Sequence, residues 1–302
     1  MKEELAAHIR NGDAYRSLVG ETRVAETLRK LQWSVRHSAY YTDPIEKKQR
    51  EIDVVARRRW TRGADRYVHL SLLVECKSMP GKQILVAEDR EGGREKLYFH
   101  WPGDDDDALR REIRGALLDN GYAPDEISRI AEEFSAATHP RGESSVDALL
   151  ASAPKPPLRV SAARETSRDT NTGPLWEAVN EVFAAMTGAT QEELVSTLDN
   201  FRFELANPNG DHAEWAVDRL RDAASTLVLY HPIVVTDAPL FRLRKGGVEP
   251  IEWCRLTQAR VSAGAPRWVD VIHSASFDDW SANATESYDA FFARRKCERV
   301  SS

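Results

Sequence analysis

The chain has 302 residues, of which 41% are hydrophobic and 30% are charged, and its formal net charge is −6. This composition is typical of a globular protein and excludes a disordered chain, while the length suffices for one large domain or two modest ones. An acidic chain is a poor candidate for a protein that coats nucleic acid non-specifically, although local basic clusters can still contact phosphates.

The number of cysteines and the hydropathy pattern limit where the protein works. The three cysteines, Cys76, Cys254 and Cys297, are far apart and odd in number, which argues against a disulfide framework and excludes a zinc knuckle. No apolar stretch approaches the roughly 20 residues of a membrane span, and the N-terminus lacks the apolar region of a secretory signal. We therefore expect a cytoplasmic protein that does not associate with a membrane.

The first 80 residues predict one amphipathic helix followed by three strands. The helix is indicated by apolar residues at helical spacing, and the strands by short alternating or uniformly apolar runs separated by turn residues. In chain order, these four elements cover residues 20–32, 33–41, 51–56 and 67–74.

The pattern weakens after residue 80 and returns near residue 174. Two helices are predicted in between, over residues 108–118 and 125–137, and residues 151–173 have the Pro, Ser and Thr content of a loop or linker. The later part of the chain predicts both helices and strands. These are helices near Trp176 and Trp215, strands over residues 226–236, 240–243, 251–256 and 268–272, and a closing helix over residues 280–292.

Charged residues stand at the ends of two of the predicted strands. Asp53 lies in the strand over residues 51–56, and Glu75-Cys76-Lys77 directly follows the strand over residues 67–74. Two carboxylates at the edge of a buried sheet repel each other unless a cation neutralises them, and Mg²⁺ is the hard, oxygen-seeking ion that suits such a pair. The cluster therefore indicates a metal-dependent phosphodiester hydrolase rather than a packing role.

Two basic clusters flank Asp53 in the sequence. Residues 47–50 read Lys-Lys-Gln-Arg, and residues 57–62 read Arg-Arg-Arg-Trp-Thr-Arg. Each cluster is compatible with the solvated end of a hairpin and equally with contacts to phosphate groups. Both interpretations stay open at this point.

The strand-end residues resemble the PD-(D/E)xK nuclease superfamily, whose fold is also called restriction endonuclease-like. The matching positions are Asp53 at the end of one strand and Glu75-x-Lys77 at the end of the next, with Ile52 where the family name has proline. Glu46-Lys47-Lys48 also satisfies Glu-x-Lys, but it lies in a stretch without a strand pattern. The context of two neighbouring strands therefore carries the resemblance.

The helix that precedes these strands extends the resemblance. The stretch Gly20-Glu21-x-x-Val24-x-x-x-Leu28-x-x-Leu31-x-Trp33 is similar to the first helix of the Mrr-like and archaeal Holliday-junction-resolvase branches, where a glutamate reaches the metal site. By this resemblance Glu21 is the matching acid, and Glu26 is an alternative. The resemblance implies an α/β protein with a three-layer αβα core around a central mixed sheet.

The resemblance also implies a site and a cofactor. The expected catalytic residues are Asp53, Glu75 and Lys77, with Glu21 assisting. Mg²⁺, for which Mn²⁺ can substitute, is expected to bind Asp53, Glu75, Glu21 and the backbone carbonyl of Cys76. Lys77 is expected to orient the attacking water or to stabilise developing charge, and a role as general base stays open. The Cys76 side chain is expected in the core.

The family core predicts how the chain is divided. Residues 1–80 and 174–302 are expected to form the nuclease-like core with a C-terminal extension of strands and a helix. Residues 81–173 are expected to be an inserted, largely helical and loop segment. The helix near Trp176 and the strand over residues 226–236 are assigned to the next helix and strand of that core.

These observations lead to a functional hypothesis with alternatives. We expect a Mg²⁺-dependent endonuclease acting on DNA in restriction, anti-phage defence or repair, helped by self-association or by a protein partner because the chain is acidic. One alternative is a catalytically silent nuclease fold that serves as a binding or scaffold subunit, and another is a nuclease acting on RNA or branched DNA. His69, His231 and His273 are interpreted as structural.

Overall fold

In the computed structural model, the chain folds as an α/β protein with one large mixed sheet and helices on both faces of the sheet. It describes residues 12–43, 46–61, 67–88, 98–100, 106–130, 158–165, 173–205, 226–258, 267–294 and 297–300. Within these ranges the helices are α1 (Asp13–Lys30), α2 (Asp106–Asp119), α3 (Pro174–Leu205) and α4 (Phe277–Ala293), together with a 3₁₀ turn (Ser274–Ser276) and a helical stretch over residues 124–130.

Twelve strands of the described chain join the sheet. They are β1 (Ser34–Thr42), β2 (Gln49–Thr61), β3 (Tyr67–Lys77), β4 (Ile84–Glu88), β5 (Tyr98–His100), β6 (Arg159–Glu165), β7 (Thr226–Thr236), β8 (Leu240–Arg244), β9 (Gly247–Ile251), β10 (Trp253–Gln258), β11 (Arg267–His273) and β12 (Glu298–Arg299). Their order across the sheet is β1-β2-β3-β7-β11-β10-β6-β4-β8-β9, with β12 paired to β2 and β5 paired to β7.

The register of the central strands determines where the charged strand ends lie. β3 runs parallel to β7 from the pair Tyr67 and Thr226 to the pair Lys77 and Thr236. β2 runs antiparallel to β3 with Val54 opposite Val74, so the same register brings Asp53 beside Glu75. The charged residues of two strands therefore meet at one edge of the sheet, next to the end of β7.

Each face of the sheet is covered by its own hydrophobic core, which gives three layers. The core on one face includes Leu28 of α1 and Phe292 of α4, and the core on the other includes Val179 of α3. β7 is buried along nearly its whole length because both of its faces are covered, as its uniformly apolar sequence predicts. Burying each such side chain contributes about 1.5–3 kcal/mol before chain entropy is subtracted.

Residues 81–173 differ from the predicted helical and loop insertion. α2 and the helical stretch over residues 124–130 lie there as predicted, but so do β4, β5 and β6. β4 pairs with β8, and β6 pairs with β10, so strands of this segment belong to the main sheet. The sequence shows no clear pattern for these strands because their apolar runs are short and Pro-rich residues lie beside them. The runs become strands only because they pair with neighbouring strands of the sheet.

Other predicted elements agree with the structure in type and differ at their ends. α1 begins at Asp13 rather than at residue 20, and α3 continues to Leu205. The predicted helix near Trp215 and the predicted turn over residues 61–65 lie largely outside the described residues. No helix in the described part of the chain is long and apolar enough to cross a membrane.

Candidate active site

Asp53 and Cys76 connect the ends of β2 and β3. The backbone N–H of Cys76 donates a hydrogen bond to Asp53 Oδ2 over 2.7 Å. The Cys76 side chain belongs to the core beneath α1 and α4, as the alternation of a strand requires. Cys76 therefore orients Asp53 through its backbone, and its thiol lies on the opposite face of the sheet.

Glu75 is a buried carboxylate without a compensating cation. Its Oε2 atom has no solvent contact and accepts no hydrogen bond from an N–H or O–H donor of the described residues. Burial, the negative charges of Asp53 and Glu181, and a side-chain hydrogen bond with Glu181 raise the pKa of Glu75 to about 10, and Lys77 offsets only part of this rise. The protein alone therefore does not stabilise the ionised form of Glu75.

Asp53 experiences the same environment more weakly. Its pKa is raised to about 7; burial is the largest cause, the hydrogen bond from Cys76 opposes the rise, and the charges of Glu21, Glu51 and Glu181 add to it. The ionised carboxylates at these strand ends therefore repel one another. A bound cation would offset that repulsion.

Glu181 of α3 completes this group, and sequence reasoning missed it. Its Oε2 atom is buried and accepts no hydrogen bond from an N–H or O–H donor in the described part of the chain, although Nζ of Lys77 lies 3.7 Å away. Its backbone carbonyl accepts a hydrogen bond from the Tyr41 hydroxyl over 3.4 Å. Its charge acts on both Asp53 and Glu75. We call Asp53, Glu75 and Glu181 the acidic cluster. The one available signal was a pair of acids one helical turn apart, Glu177 and Glu181, at the start of an otherwise apolar helix.

Lys77 lies at the border of the acidic cluster. It projects from the same face of β3 as Glu75 because strand side chains alternate. Its Nζ atom is 3.7 Å from Oε2 of Glu177 and 3.7 Å from Oε2 of Glu181, both on α3. The Lys77 side chain is 27% exposed, so it lies near the carboxylates while it stays accessible to solvent.

Glu21 lies beside the acidic cluster and is engaged elsewhere. Its Oε2 atom is 3.1 Å from Nε2 of His37 on β1. Its charge still reaches Asp53, whose pKa it helps to raise. Glu26 is exposed and takes no part. The structure thus brings Asp53, Glu75 and Lys77 together and places Glu21 at the margin of that group.

A cavity of about 210 Å³ opens at the ends of β3 and β7, against the N-terminal half of α1. Its lining includes three basic residues, Arg16, Arg23 and Lys77, of which Arg23 pairs with Asp278 over 3.0 Å. Asp237, which also lines it, accepts hydrogen bonds from the Ser78 hydroxyl (2.8 Å) and the Met79 N–H (2.6 Å). Lys77 consequently borders both the acidic cluster and a space open to solvent.

The acidic cluster fits a divalent cation in its chemistry but is not a preformed cage. Among the described residues, no group of three or more His, Cys, Asp or Glu side chains is arranged to hold a metal ion. However, Asp53, Glu75 and Glu181 offer the hard oxygens that Mg²⁺ prefers, and two of these residues have buried oxygens without partners. A cation there would remove the repulsion that raises the pKa values.

His231 forms part of a separate buried group. It is fully buried, and its ring nitrogens contact Oδ2 of Asp270 (2.8 Å) and the hydroxyl of Tyr288. Arg255 binds the same Asp270 through two hydrogen bonds of 2.7 and 2.8 Å. We call these four residues the central network. Its burial keeps it from contact with any substrate.

Comparison of the chain with models of protein families, with curated proteins and with solved structures finds no match.

Proposed function

We propose that this chain is a metal-dependent nuclease of the PD-(D/E)xK type that hydrolyses DNA phosphodiester bonds at the acidic cluster. The observation that carries the proposal is the pair of Asp53 and Glu75, two acids side by side at neighbouring strand ends with raised pKa values. Packing provides no reason to bury two acids without a counter-ion. A hydrolase that binds a divalent cation requires such a pair.

The order of elements supports the same proposal. α1, β1, β2, β3, α3 and β7 occur in the order of the helix, three strands, helix and strand expected of a restriction endonuclease-like core, with β4, β5, α2 and β6 inserted between β3 and α3. α1 lies on one face of the sheet and α3 on the other. This agreement in architecture is independent of the charges at the strand ends.

Each residue of the site has a distinct role in the proposed reaction. Asp53, Glu75, Glu181 and the backbone carbonyl of Cys76 would hold Mg²⁺, which polarises the phosphate and acidifies water when bound. The Cys76 N–H keeps Asp53 oriented. Lys77 would donate hydrogen bonds to the attacking water or to a phosphate oxygen as negative charge develops. Glu21 would add negative charge next to Asp53.

A cleavage assay tests this function. Wild type, Lys77→Ala and the control Lys30→Ala, which changes an exposed lysine at the end of α1, are incubated with Mg²⁺ or Mn²⁺. The substrates are supercoiled, linear, single-stranded and branched DNA and RNA. We expect wild type and Lys30→Ala to cleave DNA and Lys77→Ala to be roughly 100-fold slower or worse. Equal rates for wild type and Lys77→Ala would refute the assigned site. Cleavage confined to RNA or branched DNA would keep the site but replace DNA duplexes as the proposed substrate.

A second candidate is a silent nuclease fold that binds a partner. It is favoured by the pairing of Lys77 with Glu177 and Glu181 and by the lack of a preformed metal group among the described residues. This candidate predicts DNA or protein binding without cleavage, and no heat on titration with Mg²⁺ or Mn²⁺. The biological settings proposed for the active enzyme are restriction, anti-phage defence and DNA repair.

A further inference from the structure

A second group of charged and polar residues lies on β2 and β3, on the same face of the sheet as Asp53 and Glu75. Arg57 of β2 is directly opposite Ser71 of β3, and Arg59 is directly opposite His69. Residues opposite each other in an antiparallel pair project to the same face with Cβ atoms about 5 Å apart. We call Arg57, Arg59, His69 and Ser71 the basic cluster.

The basic cluster contains polar atoms that are buried and unpaired. Arg57 Nε, His69 Nε2 and Ser71 Oγ have no solvent contact and no hydrogen-bond partner. A buried polar group without a partner costs about 1–3 kcal/mol, so proteins rarely retain three of them together. Because Arg59 is exposed and Arg57 and His69 are partly exposed, a small ligand can approach from solvent.

The charge of the basic cluster is positive and uncompensated. In the part of the chain that the structure describes, no carboxylate forms an ion pair with Arg57 or Arg59. Burial, followed by the positive charges of Arg59 and Arg57, lowers the pKa of His69 to about 4. The Arg59 guanidinium lies 3.6 Å above the centroid of the Tyr67 ring, which holds it flat against the sheet.

The neighbouring Arg58 shows how the protein treats an arginine that serves the fold. Arg58 projects to the other face of the sheet. There it donates a hydrogen bond to the Leu31 carbonyl (3.1 Å), pairs with Asp289 (3.3 Å) and lies over the Trp33 ring. Among the described residues, no carboxylate or carbonyl contacts Arg57 or Arg59 in this way, although Nε and Nη1 of Arg58 also lack a hydrogen-bond partner there. The difference lies in the ion pair and the carbonyl contact, which Arg58 has and its two neighbours do not.

The basic cluster is spatially separate from the acidic cluster. Asp53 and Arg57 are four positions apart on β2, which corresponds to about 13 Å along the strand. Val55 and Leu73 lie between them and are buried in the core beneath α3. A ligand at the basic cluster therefore does not share the proposed metal site.

We propose that the basic cluster is an anion-binding site that receives a phosphate group, held by Arg57, Arg59 and His69 above the Ser71 hydroxyl. Arginine side chains bind phosphate oxygens through several parallel hydrogen bonds, and a hydroxyl and an imidazole can add further ones. The phosphate belongs either to a nucleic-acid backbone or to a small phosphorylated molecule.

A titration with inorganic phosphate in the presence of EDTA tests this site. The ring signals of His69 are followed by NMR and assigned among the eight histidines with a His69→Gln variant. We expect a saturable shift that sodium chloride at equal ionic strength does not produce. We expect Arg57→Gln and Arg59→Gln to weaken binding at least tenfold, and Ser71→Ala to weaken it less. Arg244→Gln, which changes an exposed arginine paired with Glu249, is the matched control.

Two further experiments identify the source of the phosphate and provide a result even if a variant does not fold. A short DNA and a nucleoside monophosphate compete with phosphate in the Asp53→Asn background, which prevents cleavage. Competition by the DNA assigns a backbone phosphate, and competition by the mononucleotide alone assigns a small molecule. Arg57→Lys keeps the charge and is used if Arg57→Gln does not fold. Absence of a saturable shift, or equal affinity in the arginine variants, would overturn the proposal without affecting the proposed nuclease function.

Discussion

The central network and the acidic cluster both bury carboxylates in the same sheet, but only the central network pairs its carboxylate with a buried arginine. Asp270 accepts two hydrogen bonds from Arg255 and contacts His231. The side chains of Arg255 and Asp270 are each at most 1% exposed. Burial raises the pKa of Asp270, but Arg255 and His231 lower it by more, so the net pKa is below the usual range.

The acidic cluster shows the opposite electrostatic result. The pKa values of Asp53 and Glu75 are raised, and Lys77 compensates only part of the negative charge near them. The comparison teaches that this fold can neutralise a buried carboxylate where stability requires it. Carboxylates that it leaves unneutralised are therefore candidates for binding an external cation.

The largest expected effect on stability comes from removing the carboxylate of the central network. Asp270→Asn leaves Arg255 buried without its anion, which should lower the free energy of unfolding by about 3–5 kcal/mol. Urea denaturation measures this loss, and Asp199→Asn on an exposed part of α3 is the control. A loss below about 1 kcal/mol would show that Asp270 does not neutralise a buried charge of Arg255 in the central network.

Removing the charge of Glu75 in the acidic cluster should stabilise the protein, which is the opposite of the effect expected for Asp270→Asn. The pKa of Glu75 is near 4.5 when the carboxyl is free and about 10 in the folded protein. The folded state thus retains a proton that the unfolded chain has released, and stability falls as the pH rises through this window. In EDTA at pH 8, Glu75→Gln should therefore stabilise the protein by about 1 kcal/mol, or about 2–4 °C in melting temperature.

The pH dependence of this gain is part of the prediction. Below about pH 3.5 the folded and unfolded carboxyls of Glu75 are both protonated, so the gain should largely disappear there. Thermal unfolding of wild type, Glu75→Gln and Glu286→Gln, the last changing an exposed acid of α4, measures it. A Glu75→Gln protein less stable than wild type at pH 8 would mean that the cluster already contains its counter-charge.

A smaller effect should distinguish the two acids of α3. Both acids lie 3.7 Å from Nζ of Lys77, but Glu181 is 33% exposed and has a buried Oε2 atom, whereas Glu177 is 57% exposed. Glu181→Gln should weaken Mn²⁺ binding and slow cleavage by about tenfold, within the 10–100-fold range typical of changes around a metal site. Glu177→Gln should change either value less than threefold, roughly the effect of an exposed ion pair. Equal effects of the two substitutions would exclude Glu181 from the acidic cluster.

Local patterns predicted the central strands and their charged ends. β7 matches its predicted range because a run of β-branched and apolar residues is buried on both faces. Asp53, Glu75 and Lys77 were found because each lies at or near the end of such a strand, and adjacent strands bring their ends together.

Features that depend on distant packing could not be predicted in this way. β4 and β6 have short runs that become strands by pairing with β8 and β10. Glu181 reaches Glu75 only because α3 packs across the strand ends, and no spacing in the sequence encodes that contact. The pairing of Arg57 with Ser71 likewise depends on the register between β2 and β3.

Calorimetric titration with Mn²⁺ tests the central claim most directly, because it asks whether the acidic cluster binds the cation that the protein does not provide. Wild type should show saturable binding accompanied by proton release at pH 7, since the carboxyls of the cluster lose protons when a cation binds. The double variant Asp53→Asn, Glu75→Gln should show no such binding. Absence of binding in wild type, or equal binding in the double variant, would contradict the account.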